Sequence, residues 1–383
     1  MITTRAAVLT AVGEPLQLNG IHVDDPQPHE VRIAVTHVGL CHSDLHYMTG
    51  TVPTELPVVV GHEVAGIVES VGSAVTGLRP GDRVTGALTP SCGQCRNCDA
   101  GHSTQCQRQD EIRERPRPAY ALPDGTPVAR LGDVGAFSEH ILLRANAVVK
   151  LPDDVSTTVG CLLSCCIVTG VGAVFRGAQV RAGSTVAVIG CGGVGSAIIQ
   201  GARPAGASAI IGIDLDDARL EAARSYGATH TVNGASDVPA EIRELLGDGV
   251  DYAFEAVGSA RTAATALAAV RGTGTACLVG IAPMGTELAV PAHDFFFTEK
   301  KLIGSYMGSG QAREDIAQFV RLYQQGRLML DEMVAEVIPF DRINEGFEAM
   351  ASGEVTRIVV AMPTASDDPA RPDVRIEAVE ATR

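Results

Sequence analysis

Positive charge is scarce in this chain. Its 383 residues hold 30 Lys and Arg against 45 Asp and Glu, a formal charge of −15 with a pI near 5.1. Nucleic acid and anionic membrane surfaces both require a basic footprint, so neither is expected as a partner. The opening stretch MITTRAAVLTAVGEPLQL lacks a charged segment followed by a long apolar core, and no secretory signal is expected. Ten cysteines without such a signal suit a reducing compartment, the cytoplasm, where thiols bind metal or pack instead of pairing. Charge is missing altogether from residues 155–175, a run long enough to span a bilayer. Five Ser or Thr and three Gly interrupt it, so it reads as a buried helix of a protein with no membrane partner. Internal repeats are also absent.

What is present divides the chain by texture, and the length allows two domains. Residues 1–40 alternate apolar and polar over short runs, the strand period, with Pro26 and Pro28 marking a turn. From Gly61 onward, short strands joined by Gly and Pro-Gly turns continue the pattern, which predicts an antiparallel, partly closed β domain. Residues 107–133 read as a long polar loop. At Ser184 apolar strands begin to alternate with helical runs, the mark of a parallel sheet covered on both faces. After about Gly304 mixed helices and strands return, and residues 363–383 are Pro- and charge-rich and expected to be disordered.

Three clusters carry chemistry. In the stretch from Cys41 to Glu63 a thiol and an imidazole, Cys41 and His62, are preferred zinc ligands, and a distant thiol from the cluster CLLSCC at residues 161–166 can complete a catalytic set with one position open. Ser43 and His46 offer a proton relay beside them, and Glu63 a carboxylate. Any of these residues alone is more often a packed core side chain; their company is what points to a metal. Further on, Cys92, Cys95, Cys98 and Cys106 have the spacing C-x2-C-x2-C-x7-C, flanked by Gly93 and Gly101. Four thiolates so close form a closed tetrahedral zinc site, and an iron–sulfur run would have a shorter last spacing followed by proline. Cys161, Cys166, Cys191 and Cys277 lie in apolar stretches and read as packed side chains. Finally, Gly190, Gly192 and Gly195 form G-x-G-x-x-G between a predicted strand and a predicted helix, with Asp214 closing the next strand. The glycines let a pyrophosphate approach the helix N-terminus, and Asp214 can hold ribose hydroxyls. With Asp216 and Asp217 nearby, a 2′-phosphate would be repelled, so NAD is expected over NADP. Pro204 should kink or end that helix early.

With these motifs in order, the chain resembles the zinc-dependent alcohol dehydrogenases of the medium-chain dehydrogenase/reductase superfamily, from about residue 5 to residue 362. The resemblance rests on CHSDLH, GHEVAGIVESVG, the four-cysteine lobe, the thiol cluster before Thr169-Gly170, and GCGGVG with Asp214. It implies an α/β protein with a GroES-like, β-rich catalytic domain at residues 1–166 and 305–362, its structural zinc lobe at 91–107, and a Rossmann NAD-binding domain at 167–304. It assigns Cys41, His62 and Cys165 to the catalytic zinc, Cys165 because it stands four residues before Thr169. Asp44 and Glu63 resemble the carboxylates behind the ligands, Asp44 orienting His62. Ser43 would meet the substrate oxygen and His46 would finish the relay to solvent through the cofactor ribose. Cofactor contacts are implied for Thr169 at the nicotinamide, for His42 and Arg357 at the pyrophosphate, and for Gly193, Val194 and Arg219, besides the glycine motif and Asp214. Val52, Leu88, Leu131 and Ile281 fall near substrate-pocket positions and are all aliphatic.

The implied activity is reversible oxidation of primary aliphatic or aromatic alcohols to aldehydes, using NAD and two zinc ions per chain, in a homodimer or homotetramer. A thiol-dependent formaldehyde dehydrogenase is the rival within the family, since the long loop resembles that branch. Where that branch carries an Arg for the thiol's carboxylate, however, this chain has Asp110, with Arg108 and Arg113 misplaced. A polyol dehydrogenase commonly replaces the third thiol with a carboxylate, and Cys165 argues otherwise. A non-catalytic nucleotide-binding relative should lose the ligands or the relay, and both are present.

Overall fold

The computed structural model describes residues 1–352 and 357–364. The runs TVAVI at Thr185–Ile189 and AIIGID at Ala209–Asp214 are almost wholly apolar and β-branched, which suits strands buried on both faces. They join a six-stranded sheet in the order His230–Asn233, Ala209–Asp214, Thr185–Ile189, Val250–Glu255, Val270–Leu278, Lys301–Gly304, paired in parallel throughout. The order reverses between Thr185–Ile189 and Val250–Glu255, the switch point of a doubly wound fold, where ligands bind beyond the carboxyl ends of the strands. The helix after the glycine motif, Gly193–Ala202, stops at Arg203, just before Pro204, as the proline requires.

The alternating segments build two further sheets. Strand Glu30–Gly39 is the hub of one, pairing antiparallel with Glu63–Val71, His140–Arg144 and Ile358–Ala361. Ile2–Leu9, Gln17–Val23, Tyr120–Ala121, Pro127–Arg130 and Val58–Val59 close into a small barrel. Residues 107–133 therefore differ from the expected loop: they contain a short helix, Gln109–Arg113, and two of the barrel's strands. The polar look of the segment misled because one of its arginines, Arg115, has a buried side chain. Arg115 pairs with Asp24 at 3.0 Å and with Glu30, and Tyr120 is fully enclosed nearby.

The uncharged stretch forms one buried helix, Thr157–Gly177, long and apolar enough to cross a membrane but 89% buried inside the protein. It shares one core with Ala65 of the antiparallel sheet and Val186 and Val188 of the parallel sheet. Ser156 caps its start by accepting from the Val159 amide. Two turns, Leu163–Ile167 and Ala173–Gly177, are π-helical, a feature that tends to mark functional positions. Of the tail expected to be disordered, residues 365–383 lie outside the described residues.

Candidate active site

Strand register does most of the assembly. Gly39 lies opposite Glu63, so Cys41, two residues beyond one strand, and His62, one residue before the other, emerge from the same end of the pair. The chain then turns into the helix His42–Met48, which carries Ser43, Asp44 and His46. Gly61 holds a left-handed φ of +93°, and a side chain there would collide with Phe137, so this turn before His62 needs glycine. The π-helical turn of the buried helix brings in Cys165. One donor atom from each of Cys41, His62, Glu63 and Cys165 lies within 4.8 Å of the others.

Asp44 is fully buried, and its Oδ1 accepts from both the Gly61 amide and His62 Nδ1 at 2.9 Å. That fixes the ring and leaves Nε2 for a metal. Burial alone would lower the His62 imidazole, yet Asp44 and the Cys41 sulfur hold it well above its ordinary value. The Cys165 contact, then the nearby His62, draw the Cys41 thiol well below its usual range, while the same contact and burial push Cys165 up. The pair thus holds one readily lost proton, and two sulfurs beside one pinned imidazole form the open three-ligand set of a catalytic zinc. Ser43 Oγ is 3.5 Å from Cys41 Sγ, and buried His46 Nδ1 has no partner among the described residues.

Glu63 stands behind this group. Burial raises its carboxyl to about 7 despite Arg357, whose Nη1 reaches both carboxylate oxygens at 2.9 and 2.8 Å and the Leu40 carbonyl at 3.1 Å. Arg357, expected as a pyrophosphate contact, therefore has its guanidinium committed on one side to Glu63. Its other edge lies against the glycine motif: a Cβ on Gly193 would sit 1.9 Å from Nη2, and buried Nε has no partner among the described residues.

The dinucleotide cradle has the required shape. A Cβ at Gly195 would strike the Gly190 carbonyl at 1.7 Å, whereas one at Gly192 would meet nothing, so the turn is tight behind and open in front. Helix Gly193–Ala202 has no side-chain cap, leaving its first amides free for an anion. Asp214 accepts from the Cys191 amide at 2.7 Å and the Asp216 amide at 3.1 Å, which ties the acidic strand end to the glycine turn. Asp216, read as a guard against a 2′-phosphate, caps the next helix by accepting from Ala218 and lies 4.0 Å from Arg219. Val194 is half-buried against the central core. Desolvation, then Arg357 and Arg219, lower the His42 imidazole.

In the lobe, sulfur–sulfur distances are 3.9 Å for Cys92–Cys98, 3.5 Å for Cys95–Cys98 and 4.0 Å for Cys95–Cys106. A tetrahedral zinc with Zn–S bonds near 2.3 Å places its sulfurs about 3.8 Å apart. The four thiols fit the ion. Amides of Cys98 and Gln107 draw Cys95 down to about 6, and burial lifts Cys98 to about 12. Cys161, Cys166, Cys191 and Cys277 are buried, as expected for packed thiols.

Pocket residues are less uniform. Leu131 is buried in the barrel core with half-buried Leu88 against it, and the Val52 amide donates to the His46 carbonyl. Ile281 is 49% exposed, its backbone crowding Gly258 beside the parallel sheet. Asp110 is exposed in its short helix, Arg108 pairs with Glu111 at 2.7 Å, and Arg113 with Asp133 at 2.5 Å. The sequence reading missed Ser164, whose Oγ accepts from Val64 and donates to Cys161, locking the zinc helix to strand Glu63–Val71. It also missed Tyr306, which is 48% exposed and whose phenol lies within reach of the charges of Arg113, Cys165 and His62. Its place just past the last parallel strand, Lys301–Gly304, was the available signal.

Comparison with known proteins agrees with this geometry. Residues 27–153 match the family model of the alcohol dehydrogenase GroES-like domain and residues 193–325 that of the zinc-binding dehydrogenases. An alcohol dehydrogenase zinc-binding domain protein from Burkholderia ambifaria is similar at 33% identity and TM-score 0.90, covering 94% of this chain and 99% of its own. Benzyl alcohol dehydrogenase from Acinetobacter calcoaceticus is similar at 32% and 0.87, covering 94% and 100%. A putative zinc-binding dehydrogenase from Sinorhizobium meliloti, bound to NADP, is similar at 26% and 0.78, with the same coverage of 94% and 100%. The chain belongs to the zinc-dependent alcohol dehydrogenase family of the medium-chain dehydrogenase/reductase superfamily and is an oxidoreductase.

Proposed function

We propose that the protein oxidises primary alcohols, aliphatic or aromatic, reversibly to aldehydes with NAD. The observation that carries this reading is the Cys41, His62 and Cys165 set with His62 pinned by Asp44 and Ser43 alongside. Cys41, His62 and Cys165 would hold a zinc that would supply Lewis-acid polarisation of an alcohol, and the glycine cradle would hold a nicotinamide cofactor able to take a hydride. Ser43 Oγ would take the hydroxyl proton, and His46, whose buried Nδ1 has no hydrogen-bond partner among the described residues, would finish the relay to solvent through the cofactor ribose. Arg357 pairs with Glu63 at 2.8 Å behind the ligands. Asp214 at the end of its strand favours NAD, although Arg219 beside Asp216 could meet a 2′-phosphate, and the similar Sinorhizobium meliloti protein binds NADP. The ion pairs of Arg108 and Arg113 favour simple alcohols over a thiol adduct, because neither arginine is free for a carboxylate. A second zinc in the lobe, a cytoplasmic location and a homo-oligomer complete the reading.

The test is NADH formation by zinc-replete protein with short, long and benzylic alcohols, and with formaldehyde plus or minus a small thiol, each repeated with NADP. Thiol-independent turnover of primary alcohols with NAD is expected. Activity confined to formaldehyde plus thiol would transfer the reading to the adduct oxidases, and equal rates with NADP would remove the role given to Asp214.

A further inference from the structure

The turn Met307–Ser309 is wedged against the helix that carries Cys165 and Thr169. Three successive residues there adopt left-handed backbone, Met307 at φ +48°, Gly308 at +74° and Ser309 at +59°. Two of them are not glycine, and such residues persist in this conformation only where their surroundings enforce it. The enforcement is visible. Gly308 packs so closely on Gly172 and the Val168 carbonyl that a Cβ would lie 2.1 Å from that oxygen, and Ser309 Oγ donates to Ser305 Oγ at 3.0 Å. The strained turn delivers one buried contact to the cofactor side of the site: Thr169 Oγ1 donates to Met307 Sδ at 3.6 Å.

That contact is unusual for a helical threonine. Its hydroxyl ordinarily donates back to the carbonyl three or four residues earlier, here Cys166 or the zinc ligand Cys165. The bond to Met307 takes the hydroxyl hydrogen away from the helix's own carbonyls. We propose that Met307 is a positioning residue for the nicotinamide end of the cofactor, acting through the Thr169 hydroxyl; this rests on the reading of Thr169 as a cofactor contact. Without the sulfur, the hydroxyl swings onto its own helix and the contact is lost.

The test titrates NADH fluorescence in the full-length, zinc-loaded protein. Met307→Leu, similar in size but with no acceptor, is expected to weaken NADH binding by about threefold to tenfold, the worth of one neutral hydrogen bond. It should also shift the emission of bound NADH while zinc content stays unchanged. Met307→Gln restores an acceptor and should bind within about twofold of the parent, whereas Met307→Ala should not. Thr169→Val should weaken binding like Met307→Leu, and the double variant should be no worse than either single, because both remove the same interaction. If Thr169→Val weakens binding but Met307→Leu and Met307→Ala do not, or if the two losses multiply, the positioning role is overturned. If Thr169→Val itself leaves NADH affinity untouched, the underlying reading of Thr169 fails first. Using both Leu and Ala at position 307 keeps the comparison decisive should one of them fold poorly.

Discussion

Asp44 shows how much a single buried carboxylate controls. One of its oxygens serves two donors, the Gly61 amide and His62 Nδ1, while Oδ2 is buried with no partner among the described residues. Burial pushes its carboxyl upward, Cys41 adds to that, and the His62 ring and the Gly61 amide oppose it. The residue thus belongs to the ligand it orients. Asp44→Ala should lower catalytic zinc affinity or kcat/KM by about tenfold to a hundredfold, the usual effect of removing a ligand's orienting partner. Metal analysis should find the zinc bound per chain falling while the lobe keeps its ion. Unchanged zinc with kcat/KM near the parent's would mean that packing alone orients His62.

At the scale of elements, the lobe and the buried helix solve opposite problems. The lobe holds only a four-residue helix, Arg96–Asp99, and a short 3-10 turn, Ser103–Gln105, too little apolar surface to fold by burial. Its thiols gather at the spacing zinc requires, so the ion supplies the stability. Cys98→Ala should therefore open the lobe. Limited proteolysis should cut within residues 91–107 and thermal stability should fall. A protease-resistant lobe after loss of its zinc would show that packing holds it. The helix Thr157–Gly177 needs no such aid, because it is buried between two sheets. Its π-helical turn costs regular hydrogen bonding and in return aims Cys165 at Cys41 and His62.

Across the whole molecule, the return of the chain matters most. Ile358–Ala361 pairs with the end of Glu30–Gly39, Val359 opposite Gly39, and this sets Arg357 between Glu63 and the glycine turn. One surface stands apart from an otherwise ordinary exterior. Phe296 and Phe297 are 74% and 70% exposed, with ring centroids 5.2 Å apart, on the helix Ala292–Thr298 that precedes the edge strand Lys301–Gly304. Exposed aromatic pairs beside an open sheet edge suit association between copies. Phe297→Asp is expected to shift the mass measured by light scattering from an oligomer to a monomer. A parent protein that is already monomeric would remove the homo-oligomer reading.

The amino-acid sequence by itself determined the fold class and the clusters of chemistry. Buried β-branched strands alternating with helices can only make a covered parallel sheet, and the spacings of Cys92 to Cys106 and Gly190 to Gly195 are local enough to carry their meaning within a few residues. Asp44 and His62 could be named from their motifs, but their bond depends on the Gly61 turn. Tertiary structure alone decided the rest. The barrel strands hidden in residues 107–133 depend on Arg115 finding Asp24 and Glu30, some ninety residues earlier. The double engagement of Arg357 depends on a strand pairing across more than three hundred residues. The Thr169–Met307 contact needs a left-handed backbone at Met307 that this residue would not adopt by preference. Such features arise from packing between segments far apart in the chain, and no local pattern encodes them.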